Sequence, residues 1–146
     1  MNRSAVGLVL AFVLGVAFTF TALSMMQSTW HVSSHASLKA LGVEVYWNPD
    51  QTAPVTSINW GILEPGDTKN VTVYIVNTGN VPNTLSISTG NWQPAGAADF
   101  ITLTWNYNGS FLAVAETRQV ILSLHTSPNI TGITTFSFDI TITGSG

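Results

Sequence analysis

The stretch INWGILEPGDTKNVTVYIV, residues 58–76, decides the fold class of this chain. Its two halves alternate apolar and polar residues with a period of two, and the tetrapeptide Glu64-Pro65-Gly66-Asp67 separates them. Such alternation predicts a β-strand with one buried face. Proline fixes φ early in a turn and glycine accepts a positive φ, so the tetrapeptide predicts a tight turn. The stretch therefore predicts two strands joined by a turn.

The same alternation recurs through the C-terminal two thirds of the chain. Alternating runs lie at 43–47, 58–62, 71–75, 85–88, 101–107, 120–124 and 136–142. Turn sequences such as Asn77-Thr78-Gly79-Asn80 and Asn108-Gly109 lie between them. Seven short strands separated by turns predict an all-β fold, a seven-stranded antiparallel immunoglobulin-like sandwich over residues 41–146.

The first 27 residues predict a transmembrane helix. An apolar run extends from Ala5 to about Met26, with no charge after Arg3 until Lys39. About 20 helical residues at 1.5 Å each span the ~30 Å hydrocarbon core of a bilayer. Arg3 as the only flanking charge predicts a single pass with a cytoplasmic N-terminus and an extracytoplasmic C-terminal domain.

Two outcomes fit the apolar run. An uncleaved signal anchor is favoured, because the run is longer than the ~7–15 apolar residues of a secretory signal. A signal peptide cleaved near Ala22-Leu23-Ser24 is the alternative, and it would leave the domain secreted.

Residues 28–40 are predicted to be a linker between membrane and domain. His31 and His35 are four residues apart, a spacing that could place two imidazoles on one helix face for a metal. No carboxylate lies between Ser28 and Ser37 to complete such a site. A solvated linker is the favoured interpretation, and no metal or other cofactor is predicted.

The charge content excludes nucleic-acid binding. Charged residues make up 8% of the chain, and its formal net charge is −3. Beyond the apolar run the positive side chains are Lys39, Lys69 and Arg118, which are scattered along the sequence. Binding to phosphates requires clustered cations.

The absence of cysteine also excludes disulfides and thiolate metal sites.

No catalytic machinery is predicted, so the chain is not expected to be an enzyme. His125, at the end of a predicted strand, is the histidine of the domain proper, and the acids show no paired cluster. Glu64 and Asp67 in one turn are too few oxygen ligands for calcium. A small-molecule ligand is not expected.

Two tryptophans form the predicted contact surface. Trp92 lies in the predicted loop Asn91-Trp92-Gln93-Pro94, and Trp47 precedes Asn48-Pro49-Asp50. Aromatic side chains exposed in loops are frequent anchors of contacts. Trp60 and Trp105 keep the inward phase of their strands and are expected in the core.

Three sequons predict N-glycosylation of an exported domain. They are Asn70-Val71-Thr72, Asn108-Gly109-Ser110 and Asn129-Ile130-Thr131. Each lies in a turn or at the edge of a predicted strand, where a glycosyltransferase could reach it. The predicted glycosylation sites are therefore Asn70, Asn108 and Asn129.

The segment Gly61-Ile62-Leu63-Glu64-Pro65-Gly66, followed by the strand that ends in Asn77-Thr78-Gly79, carries a resemblance. It is similar to immunoglobulin-like domains of archaeal and bacterial cell-surface proteins with an N-terminal signal anchor. More weakly, it resembles camelysin-type biofilm fibre proteins. The resemblance covers residues 41–143 and lacks the paired cysteines of antibody domains. It implies a sandwich at the cell surface and, for the fibre proteins, polymerisation.

Two functions are consistent with these observations. The first is a non-catalytic, membrane-anchored extracytoplasmic module of a cell-surface coat, filament or accessory complex, which self-assembles or binds a protein by strand addition. In its filament form, the segment after Ser24 would serve as the donor strand once the apolar run is removed. The alternative is a glycan- or protein-binding surface module that uses Trp92 and Trp47.

Overall fold

The computed structural model describes residues 32–146. The predicted membrane segment, residues 1–27, and the start of the predicted linker with His31 lie outside the described residues. Within residues 32–146, no helix is long and apolar enough to cross a membrane.

The described residues form two four-stranded sheets that pack face to face. The strands are β1 (Val32–Leu41), β2 (Val43–Tyr46), β3 (Ser57–Leu63), β4 (Thr68–Asn77), β5 (Thr84–Gln93), β6 (Ile101–Trp105), β7 (Thr117–Thr126) and β8 (Thr135–Ser145). Sheet A has the order β3-β1-β8-β5, and sheet B has the order β2-β4-β7-β6. A 3-10 turn, Ala95–Asp99, connects β5 to β6.

The prediction of an all-β two-sheet sandwich is confirmed. Each predicted alternating run lies in or overlaps one of the strands β2 to β8. The strand count and the antiparallel prediction are wrong, because the described residues contain an eighth strand, β1, which pairs in parallel with β8.

Strand β1 lies where the sequence predicted linker residues, so the linker prediction is wrong from Val32 to residue 40. Its inward positions include Ser34 and Ala36, which are buried although one is polar and the other small. Its outward positions are Ser33, His35, Ser37 and Lys39. Four of its five inward residues are apolar, but the small side chains and the polar Ser34 make this alternation weaker than in β2 to β8.

The core lies between the sheets and draws on every strand. Its largest fully buried side chains are Phe138, Ile58, Leu63, Ile75, Leu112, Leu122, Leu124, Ile140 and Ile142. Burial of one such side chain stabilises the fold by roughly 1.5–3 kcal/mol. Trp60 is buried and Trp105 packs against the core, as their strand phase predicted.

The sandwich has two ends, which we call the base and the tip. The base holds Val32 at the start of β1 and the segments 64–67, 94–100 and 127–134. The tip holds Gly42 and the loops 78–83 and 106–116. At the base, the predicted turn is confirmed by a hydrogen bond from the Asp67 amide to the Glu64 carbonyl, 3.0 Å. This turn leads the chain from sheet A to sheet B.

Candidate functional site

The site is the slot that strand β1 occupies in sheet A. β1 lies between β3 and β8, antiparallel to β3 and parallel to β8. Every other strand pair of the sandwich is antiparallel. The parallel register runs from Ser33 beside Thr135 to Leu41 beside Thr143, so that the first described strand pairs with the last. Nearly the whole domain separates these two strands in sequence.

Backbone pairing on both edges and a row of mostly small inward side chains attach β1 to the slot. Its buried inward side chains are Val32, Ser34 and Ala36, and the Ser34 hydroxyl donates to the Gly61 carbonyl at 3.0 Å. Leu38 and Ala40, farther along the same face, are partly buried against the core. Hydrogen bonds on both edges supply the remaining stabilisation. Without β1, both β3 and β8 would present an unpaired edge to solvent.

A single residue, Gly42, connects β1 to β2. At Gly42 the chain reverses direction and passes from sheet A to sheet B. Its φ is +70°, and a Cβ at this position would lie 2.9 Å from the Gly144 carbonyl oxygen. Glycine is therefore required twice, for the left-handed backbone and for the close approach.

A cleft opens beside the start of β1, on the outer face of sheet A at the base. It has a volume of about 510 Å³. His35, Ser137 and Gln93 form one row across β1, β8 and β5 and contribute to its lining. The lining contains no carboxylate to orient His35 as a base. The cleft thus lacks the carboxylate that a catalytic group of nucleophile, histidine and acid requires.

Trp92 lies at the end of a strand and not in the predicted loop, and its side chain is partly exposed. It belongs to β5, where the register shifts between Gly90 and Gln93 and Asn91 has a φ of 50°. Its ring stacks on Phe138, with centroids 4.2 Å apart and planes 6° from parallel. One part of Trp92 therefore packs against the core, and its role in a contact surface stays a prediction.

Trp47 is exposed, with 41% of its surface accessible. It follows β2 of sheet B, whereas Trp92 belongs to sheet A. No ring contact joins the two among the described aromatic pairs. Because the structure does not bring them onto one platform, we do not advance ligand binding through this pair.

The three sequon asparagines are all exposed. Asn70 lies on β4 beside Ser123, on sheet B. Asn108 lies in a tip loop, where its Oδ1 accepts bonds from the amide and hydroxyl of Ser110. Asn129 lies in the base segment 127–134. None of the three lies on sheet A, and their glycosylation stays a prediction.

The remaining polar candidates are dispersed. The His125 ring is exposed and bonds the Thr68 hydroxyl at 2.9 Å. The Asp67 carboxylate accepts a bond from the Glu64 amide, 2.9 Å, and so stabilises its own turn. Within residues 32–146, no three side chains of the metal-binding types converge on one point.

Within residues 32–146, two side chains have shifted pKa values, and both shifts have local causes. The Arg118 guanidinium, followed by the Ala113 amide, holds the pKa of Glu116 below its ordinary value by hydrogen bonding to the carboxylate. The Tyr46 hydroxyl donates a hydrogen bond to the Glu44 carboxylate, and this bond raises the pKa of Tyr46. Neither group lies in the β1 slot, and neither is joined to a nucleophile.

No protein-family model matches this chain, and a search of curated proteins finds none that is significantly similar.

Proposed function

We propose that this chain is a non-catalytic structural subunit of a cell-surface coat, filament or accessory complex, whose copies join by exchanging strand β1. Residues 1–27 act as its single-pass anchor with a cytoplasmic N-terminus, or as a signal peptide in a secreted form. The β1 slot carries the proposal: the first described strand has mostly small inward side chains and occupies an inner position of a sheet, paired on both edges.

The topology supports an immunoglobulin-like sandwich in which β1 occupies the place of the last strand. In such folds one sheet has the order A-B-E-D and the other C-F-G. Sheet B matches A-B-E-D as β2-β4-β7-β6, and β5 and β8 match C and F. β1 then takes the G position, but it comes from the opposite end of the domain and runs parallel to its neighbour. β3 extends this sheet on the far side of β1.

Exchange of β1 keeps almost every contact of the domain. A β1 from a second copy would make the same hydrogen bonds to β3 and β8, as in domain swapping and donor-strand complementation. The equilibrium between the closed and the exchanged form then depends on protein concentration and on strain at Gly42. Confinement of the copies to one membrane raises their effective concentration and favours exchange.

Cysteine pairs across the slot test the exchange, because the chain has no cysteine of its own. His35 and Ser137 are exposed register partners on β1 and β8. Neighbouring strands are ~4.8 Å apart, within the range that a disulfide can bridge. In the full chain carrying His35→Cys with Ser137→Cys, we expect oxidation to link separate copies into dimers and higher species on a non-reducing gel.

The matched control is Thr104→Cys with Ser123→Cys, a register pair on β6 and β7. Both of these strands stay within one copy, so this pair should form only intramolecular disulfides. If the slot pair also gives only monomers, when the protein is oxidised at its surface density in the membrane, the proposal of β1 exchange is wrong.

A further inference from the structure

The tip of the sandwich has an exposed apolar surface, formed by two loops. Phe111 is 69% exposed, Val81 51% and Val114 48%. They lie in adjacent loops, because Asn83 and Leu112 exchange backbone hydrogen bonds of 3.1 and 2.7 Å. Clustered exposed apolar side chains with an aromatic member are typical of protein–protein contacts.

The two loops are held rigidly. Buried Asn77 donates from Nδ2 to the carbonyls of Val81, at 2.8 Å, and Leu112, at 3.0 Å. Arg118 donates to the Phe111 carbonyl at 3.2 Å. The apolar surface is therefore preformed, and a partner would bind it without first ordering the loops.

We propose that the tip is the surface through which two copies of this chain associate, tip to tip. The hinge geometry indicates the partner, in a step that rests on the proposed exchange of β1. Leu41 ends β1 at the tip of the slot and Val43 begins β2 at the tip of its own sheet, with only Gly42 between them. The two Cα–Cα steps from Leu41 to Val43 together span ~7 Å at most. A copy that receives β1 therefore has its tip beside the donor's tip.

The charge distribution favours the same arrangement. At the base, Glu64, Asp67 and Asp99 outnumber Lys69. At the tip, Glu116 is paired with Arg118, and the charges of Glu44 and Lys39 balance each other. Two identical copies therefore meet with less repulsion at their tips than at their bases.

The tether leaves the tip accessible. Val32 enters the domain at the base, so the 31 residues before it connect to the end opposite the tip. A domain anchored through residues 1–27 would keep its tip free of the membrane, where the tips of neighbouring copies in the same membrane can meet. An N-glycan on Asn108, three residues from Phe111, would cover the tip, so unglycosylated protein is the material for the test.

Single-cysteine cross-linking of the full chain in mild detergent tests the contact. Val114→Cys places a thiol at the tip, and Ile62→Cys places one on β3 near the base, where Ile62 is 56% exposed. We expect oxidised dimer from Val114→Cys to exceed that from Ile62→Cys by about tenfold. Adding Phe111→Ser should lower the Val114→Cys dimer by about tenfold, because an aromatic anchor at the centre of the contact is lost. Equal cross-linking at both positions, or no effect of Phe111→Ser, would overturn the proposal.

The slot pair, His35→Cys with Ser137→Cys, separates this proposal from exchange of β1. If Val114→Cys gives dimers while the slot pair forms only intramolecular disulfides, the tip contact is supported and the exchange of β1 is wrong. Intermolecular slot disulfides without dimers through Val114→Cys would retain exchange and reject the tip contact.

Discussion

Trp92 and Trp47 differ in what surrounds their rings. Trp92 stacks on Phe138 and lies near Phe136, at 6.2 Å between centroids, within the core of sheet A. Trp47 lies largely in solvent at the end of β2. A ring that stacks on core side chains contributes to folding through that contact, even where the side chain is partly exposed, as at Trp92.

Replacement of these two tryptophans should therefore have unequal effects on stability. Trp92→Ala should lower the free energy of unfolding by about 2–3 kcal/mol, somewhat less than for a fully buried aromatic. Trp47→Ala should lower it by about 1 kcal/mol or less, because little of its contact area is buried. Urea unfolding of both variants measures the difference. Equal losses would contradict the packing described for Trp92.

Glu116 stabilises the tip through its ionised form. Its folded-state pKa is below its ordinary value of 4.5, because Arg118 and the Ala113 amide bind the carboxylate. The stabilisation is therefore complete above that ordinary value and is lost as the pH falls through the folded-state pKa.

We expect Glu116→Gln to be less stable than the native chain near pH 7 and equally stable in strong acid. Glu64→Gln, at the base, removes the same charge and serves as the control. The free energy of unfolding, measured as a function of pH, tests this. A Glu116→Gln deficit that persists undiminished at low pH would contradict the role of the carboxylate.

Among the strands, β1 is the one whose position in the sheet depends more on pairing with β3 and β8 than on its own side chains. Its buried side chains are small, and its edges pair with β3 and β8. The connection at Gly42 is short and requires a left-handed backbone. Strain at this connection therefore controls whether β1 stays in its own copy.

Gly42→Ala should promote exchange. The added Cβ would meet the Gly144 carbonyl oxygen in the closed connection, while an extended connection between two copies relieves both the contact and the φ of +70°. A strain of about 1–2 kcal/mol would raise the exchanged fraction about tenfold. Gly61→Ala is the matched control, since Gly61 has a φ of +73° but a Cβ added there would meet nothing within 4 Å.

Disulfide capture by the slot pair, combined with each glycine variant, measures the exchanged fraction. Gly61→Ala strains closed and exchanged forms alike and should leave that fraction unchanged. The hinge argument fails if the two alanine variants behave in the same way.

At the scale of the whole molecule, the sparse charge sets how copies interact. With 8% charged residues and a net charge of −3, long-range attraction between copies is absent and repulsion is weak. The proposed contacts are backbone pairing in the slot and apolar packing at the tip, and neither depends strongly on screening.

Association of the full chain in non-ionic detergent should accordingly change little with salt. Between about 50 and about 500 mM NaCl the Debye length falls from about 14 to about 4 Å, and the dissociation constant should decrease by about threefold or less as the weak repulsion is screened. Sedimentation equilibrium measures it. A dissociation constant that rises tenfold over this range would indicate a contact between opposite charges, contrary to the apolar contact proposed at the tip.

The strands β2 to β8, the turn at Glu64-Pro65-Gly66-Asp67 and the inward phase of Trp60 can all be predicted from the amino-acid sequence. These features follow from alternation and turn chemistry, which act over a few residues. Three other features are visible only in the folded domain: β1 pairs with β8, Trp92 stacks on Phe138, and the loops of Phe111 and Val81 are adjacent at the tip. Each of these joins residues far apart in sequence. β1 in particular, with small and polar side chains, becomes a strand because two neighbouring edges require hydrogen-bond partners.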